Sequence, residues 1–179
     1  NAVSISSDGQ TVAIGAINNG GNGYNSGHAR IYNYNGSSWI QLGLDIDGQN
    51  PYDEFGWDVS VNGDGSIVAI GAHWNDGNGP SSGHVRVYNY NGGSWNQLGN
   101  DIDGEAAHDN SGKSVSLSSD GSTVAIGAYY NDGSGSSSGH VRIYNWSGTS
   151  WTQLGADIDG EAVGDHSGRS VSLSSDGST

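Results

Sequence analysis

Over 179 residues, 19 acidic side chains stand against 5 basic ones, giving a formal net charge of −14, and there is no cysteine. That charge repels phosphate backbones and anionic lipid, which sets aside nucleic acid and membrane surfaces as partners. The missing cysteines remove disulfides, thiol catalysis and cysteine-zinc sites, and no apolar run nears the roughly 18 residues of a membrane-spanning helix.

In chain order, the first expected strand is Val3–Ser6, followed by an Asp-Gly turn and a second, Thr11–Ala16. Alternating apolar residues around Asp-Gly are a strong hairpin signal. A loop rich in Asn, Gly and Ser leads to a third strand, His28–Tyr34. After an Asn-Gly turn a fourth runs from Ser38 through Trp39 to about Asp45. The pattern then repeats over Val59–Asn62, Ile67–Ala72, His84–Tyr90 and Ser94–Asp101. It returns over Val115–Ser118, Thr123–Ala128, His140–Trp146 and Ser150–Asp157, and Val171–Ser174 opens it once more. The turn aspartates Asp8, Asp64, Asp120 and Asp176 recur every 56 residues. This period divides the chain into repeats at 1–58, 59–114 and 115–170, with 171–179 holding the first strand of a further one. Because it opens and closes inside its own repeat, the chain is expected to be a piece of a longer array.

No segment has helical periodicity. Four short antiparallel strands per repeat are the make-up of a β-propeller blade, so the expected fold is all-β. In the second strand Val124 and Ile126 face away from Ala125 and Gly127; in the first, Val115 and Leu117 oppose Ser114, Ser116 and Ser118. Each sheet then has a bulky face and a small one, and stacking at about 10 Å buries the first on the second. Closed propellers have about four to eight blades. Three therefore imply a larger or multi-chain assembly, with adjacent repeats or further copies of the chain as partners.

The stretch FGWDVSVNGDGSIVAIGA carries Phe55-Gly56 before one strand and Ile70-Gly71-Ala72 at the end of the next. It resembles the FG-GAP repeat of integrin-alpha-type propellers; the later copies have Ser111-Gly112 and Ser167-Gly168 in place of Phe-Gly. The resemblance implies a blade whose first strand is innermost and an extracellular or cell-surface setting. In that family a D-x-N-x-D-G-x-x-D loop between the first two strands often holds calcium. Here the loop is SSDGST, with one carboxylate, and that site does not carry over.

The metal candidates lie elsewhere: Asp45 with Asp47, Asp101 with Asp103, and Asp157 with Asp159, joined by Glu105 and Glu161. Alternation puts both aspartates of a pair on one side, and hard cations favour clustered carboxylates, so calcium is the cofactor such a cluster would take. Asp109 or Asp165 could add a ligand from the same loop. The competing reading is structural. Arg30, Arg86 and Arg142 each follow His28, His84 and His140 in Gly-His-x-Arg-x-Tyr, and need a fixed acidic partner such as these aspartates.

Trp39, Trp95 and Trp151 recur and read as anchors between blades. Trp74, beside His73, and Tyr129-Tyr130 do not recur; they lead into the long loops and are the candidates for glycan contact. Asn35 and Asn145 head N-x-S sequons, placed in the hairpins between third and fourth strands, where N-glycosylation would be exposed. No nucleophile elbow or HExxH motif is present. The expectation is a non-enzymatic structural or adhesive segment, a scaffold for assembly or protein interaction with surface glycans or proteins as further partners; the alternative is lectin-like glycan binding through the long loops, with or without calcium.

Overall fold

The computed structural model describes residues 1–178, and every regular element among them is a β-strand. The first sheet holds β1 (Val3–Ile5), β2 (Thr11–Ala16), β3 (His28–Tyr34), β4 (Trp39–Gln41) and β5 (Ile46–Asp47). The second holds β6 (Val59–Val61), β7 (Ile67–Ala72), β8 (His84–Tyr90), β9 (Trp95–Gln97) and β10 (Ile102–Asp103). The third holds β11 (Ser114–Leu117), β12 (Thr123–Ala128), β13 (His140–Trp146), β14 (Trp151–Gln153) and β15 (Ile158–Asp159). Pairing is antiparallel and follows chain order from the first strand of each sheet to the third.

Two expectations change. The fourth strand is broken: β4 pairs Gln41 with Tyr32, β5 pairs Ile46 with Ala29, and Leu42–Asp45 lies between them. Gly43 sits there at φ 68°, and Gly99 and Gly155 repeat it at 71° and 77°. A left-handed glycine cannot continue an extended strand. Asp45 therefore lies in the break, not on a strand beside Asp47. Secondly, Val171–Ser174 is not paired as a strand. Every other first strand pairs with the TVAIGA-type run that follows it, and residues 175–178 hold no such run. Leu173 N does donate to Ser116 Oγ at 3.0 Å; Thr179, also assigned to that repeat, lies outside the described residues.

The sheets bury one another. Ala13, Ala29, Ile31 and Ile46 of the first pack with Val59, Val61, Val68, Ile70 and Tyr88 of the second. Ala69, Val85, Val87 and Ile102 of the second pack with Val115, Leu117, Val124 and Ile126 of the third. The receiving face is bulkier than Ala and Gly alone would make it, because the third strand adds Ile31, or Val85 and Val87. First strands converge at the inner edge: Val61 N donates to Ser4 Oγ at 3.0 Å, and Leu117 N to Ser60 Oγ at 2.9 Å. At the outer edge the indole N–H of Trp95 donates to Leu42 O at 2.8 Å, and that of Trp151 to Leu98 O at 2.9 Å. Trp39, with no sheet before it, is 47% exposed.

The FG and IGA glycines meet at these joints. Gly56 N donates to Gly71 O at 3.0 Å, and a Cβ on Gly15 or Gly71 would overlap the carbonyl oxygen of Gly56 or Gly112. Backbone packs on backbone there, which leaves no room for any other residue.

Candidate functional site

Strand β3 and its equivalents present His, Arg and Tyr on one face, as the period of two requires. Arg30 Nε lies 3.0 Å from both carboxylate oxygens of Asp45, with Nη2 at 2.8 Å from Oδ2. Arg86 grips Asp101 at 2.8 and 2.6 Å, and Arg142 grips Asp157 at 2.9 and 2.8 Å. These are two-pronged guanidinium–carboxylate pairs within one sheet. Arg142 also meets Glu105 of the preceding sheet.

The same aspartates stand beside the histidines. His28 Nδ1 is 3.4 Å from Asp45 and 3.9 Å from Asp47, and His140 Nδ1 is 3.6 Å from Asp157 and 4.0 Å from Asp159. Ligand-type atoms of His28, Asp45 and Asp47 come within 4.8 Å of one another, as do those of His84, Asp101 and Asp103, and of Glu105, His140 and Asp157. The donor chemistry fits arginine better than a hard cation. Asp45 already accepts from Arg30 and, at 2.8 Å, from Gln41 Nε2, so a guanidinium occupies the place where an ion would gain most. Glu161 is exposed outside these groups. Asp109 and Asp165 turn back to brace their own loops, accepting from Ala106 N at 2.9 Å and Ala162 N at 2.8 Å. The turn aspartates are similarly occupied: Asp120 Oδ1 accepts from Ser118 Oγ at 2.6 Å and Ser122 N at 2.9 Å.

The charges respond to this setting. Hydrogen bonding from Arg30 holds Asp45 below the usual carboxylate range. Burial pushes Asp101 upward, but Arg86 and Gln97 outweigh it and its pKa falls. His84 drops to about 4, first through burial and then through the positive charge of Arg86. An unfolded histidine protonates near 6.5. Between these values the unfolded chain binds more protons, so the stability tied to His84 is full above pH 6.5 and is lost as pH falls toward 4. Calorimetry should show wild type losing about 3 kcal/mol relative to His84→Gln between pH 7 and pH 4. A gap that stays constant with pH would reject this.

A second grouping lies at the end of the sheets where first strands begin and second strands finish. Trp57 precedes β6, Lys113 precedes β11, His73-Trp74 follow β7, and Tyr129-Tyr130 follow β12. The Trp57 and His73 rings are 4.2 Å apart, and His73 and Trp74 5.6 Å. Lys113 Nζ lies 3.5 Å over Trp57 and 5.2 Å from Tyr129. Tyr129 stacks on Tyr130 at 3.9 Å, and His166 lies 5.3 Å from Tyr130. The result is a continuous ridge across the second and third blades. His73 is buried within it, its pKa lowered to about 3 by burial and then by Lys113. Trp74 is 47% and Tyr130 41% exposed.

The glycan candidates Trp74, Tyr129 and Tyr130 thus fall in one structure. Sequence reasoning missed Trp57, Lys113, His166 and Arg169. The signal was present: positions 1, 57, 113 and 169 share one repeat phase yet read Asn, Trp, Lys and Arg, while the strands around them are nearly identical. Of the sequons, Asn35 sits exposed in its turn, but Asn145 lies within β13. Its side-chain amide donates to Ser122 O and Thr123 Oγ1, both at 3.2 Å, because β13 runs one residue beyond it to Trp146.

The FG-GAP repeat model matches residues 46–88 and 102–144. These two stretches are FG-GAP repeats. Each matched FG-GAP unit straddles a joint, taking the last strand of one sheet and the first three of the next, which places Phe55-Gly56 and Ile70-Gly71-Ala72 in the same unit. No curated protein matches the chain by sequence. Among solved structures, a 6-phosphogluconolactonase candidate from Bacteroides fragilis aligns with TM-score 0.56 at 12% identity, over 88% of this chain and 38% of that one. A counterpart from Bacteroides uniformis gives 0.55 at 12%, over 91% and 41%. The β-propeller domain of the Trilobed protease from Pyrococcus furiosus, with its open velcro topology, gives 0.50 at 10%, over 89% and 41%. The FG-GAP chain therefore spans about two fifths of the length of these propellers, and the likeness is one of fold.

Proposed function

We propose that this FG-GAP chain is a non-enzymatic scaffold segment of an extracellular or cell-surface protein, and that it assembles by stacking its blades on those of a second copy. One observation carries the reading: both outer faces present residues of the kind that elsewhere are buried between sheets. Val3, Ile5 and Ile14 are 70%, 58% and 41% exposed, whereas their repeat counterparts Val59, Val61 and Ile70 are buried under the preceding sheet. Val12, Ile14, Tyr32 and Trp39 line an apolar groove of about 320 Å³ on that face. At the other end Ile143, Leu154, Ile158 and Leu173 line one of about 200 Å³. Residues 171–174 repeat the first-strand sequence, and β2 of the second copy would give them a partner in place of its own β1.

Sedimentation equilibrium tests this. Self-association in the micromolar range is expected, and Ile14→Asp or Leu173→Asp should abolish it while the monomer keeps its β-sheet circular dichroism. A wild-type chain that stays monomeric to about 100 μM, well above the roughly micromolar dissociation constants of ordinary interfaces, would overturn the proposal.

A second reading, lectin-like binding, is favoured by the exposed rings of Trp74 and Tyr130 at the rim of the loops. Flat aromatic faces beside polar loops suit the C–H faces of sugar rings, and the two readings use different surfaces.

A further inference from the structure

We infer that the ridge binds a saccharide bearing a carboxylate, of the uronic-acid class. The inference rests on the lectin-like reading and goes beyond it in naming the charge of the ligand. Its ground is the distribution of cations. Of the five basic residues, Arg30, Arg86 and Arg142 are each committed to an aspartate. The other two, Lys113 and Arg169, form no ion pair among the described residues; Lys113 lies over the Trp57 ring, and Arg169 is within electrostatic reach of Lys113 and Tyr129.

Lys113 is held for such a role. It is half-buried, with its ammonium over the Trp57 ring and near that of Tyr129. Burial, together with the nearby positive charge of Arg169, lowers its pKa, while Glu54 opposes this from within electrostatic reach without an ion pair. An ammonium with part of its hydration removed gains more from an incoming anion than one in open solvent. Arg169 is exposed and can supply a two-pronged contact to a carboxylate. Trp74 and Tyr130 then offer faces to the ring that carries the acid.

The test is calorimetric titration of the full chain with tri-galacturonic acid and, separately, with neutral galactotriose. Wild type is expected to bind the acidic trisaccharide at least tenfold more tightly. Lys113→Met and Arg169→Gln should each narrow that ratio severalfold, and Trp74→Ala should weaken both ligands together. Each variant's melting temperature should stay within a few degrees of wild type, which separates lost contact from lost fold. Equal binding of acidic and neutral trisaccharides would overturn the inference and leave the lectin-like reading standing. Binding of neither by wild type would overturn both. A ratio unchanged in Lys113→Met and Arg169→Gln would show that the discrimination arises elsewhere, and would equally end the inference.

Discussion

Phe55→Ala is expected to cost about 3–5 kcal/mol, within the range for removing a fully buried aromatic ring. Phe55 is fully buried at the joint between the first and second sheets. Its ring meets His84 at 6.4 Å and Tyr88 at 6.5 Å, both nearly edge-on, while its backbone bridges Gly27 of the sheet before. Truncation opens a cavity in the core that the first and second sheets share. Urea titration followed by tryptophan fluorescence should show the midpoint falling sharply. Because repeat stacks behave as coupled neighbours, a separate early transition of the first blade is also expected. A loss below about 1 kcal/mol, the scale of an ordinary surface change, would mean that the ring does not hold the joint.

Gly71→Ala is the second large effect, at about 3 kcal/mol or more, the upper end of overpacking costs. The added Cβ would overlap Gly112 O, with the Gly112 carbonyl carbon and Cα directly behind. These are backbone atoms, so no rotamer change relieves the clash and the second and third sheets must move apart. Gly92 supplies the control. It lies in an exposed turn at φ 91° with nothing near where its Cβ would go. Gly92→Ala therefore costs only the left-handed backbone strain, about 1–2 kcal/mol. Scanning calorimetry on both variants separates the mechanisms: equal shifts in melting temperature would refute a special joint at Gly71.

These two residues also show how much of the fold was legible. Alternation and Asp-Gly turns located the first three strands of each blade, because a strand's facing is local and has a period of two. The break in the fourth strand was harder to see. Gly43, Gly99 and Gly155 are three glycines among 32, and only pairing with β3 on both sides of them shows that the strand stops and restarts. Val171–Ser174 failed as a strand for a related reason. Its sequence is that of a first strand, but a strand is completed by the partner it pairs with.

The candidate site divides along similar lines. Trp74, Tyr129 and Tyr130 stood out as exceptions to the repeat, yet Lys113 and Arg169 were not linked to them, since a 56-residue spacing puts no two residues together by itself. Stacking the blades turns positions of equal phase into neighbours, and that alone brings Lys113 over Trp57 and beside Tyr129. In the same way, Asp45 and Asp47 were read either as a carboxylate pair for a cation or as partners of the repeated arginine, and spacing could not say which aspartate the arginine takes. Folding made Asp45 the counter-ion of Arg30, as it lies in the break at Gly43 and not on the strand with Asp47.

The sequence by itself determined the repeat, the all-β character, the hairpins and the two unequal faces of each sheet, since all of these follow from side-chain order along a short extended run. Tertiary structure alone decided which glycines touch, which aspartates are spent on arginine, and where the two uncommitted cations gather. Those outcomes depend on contacts between blades, and stacking distance and register are properties of the array that no single repeat contains.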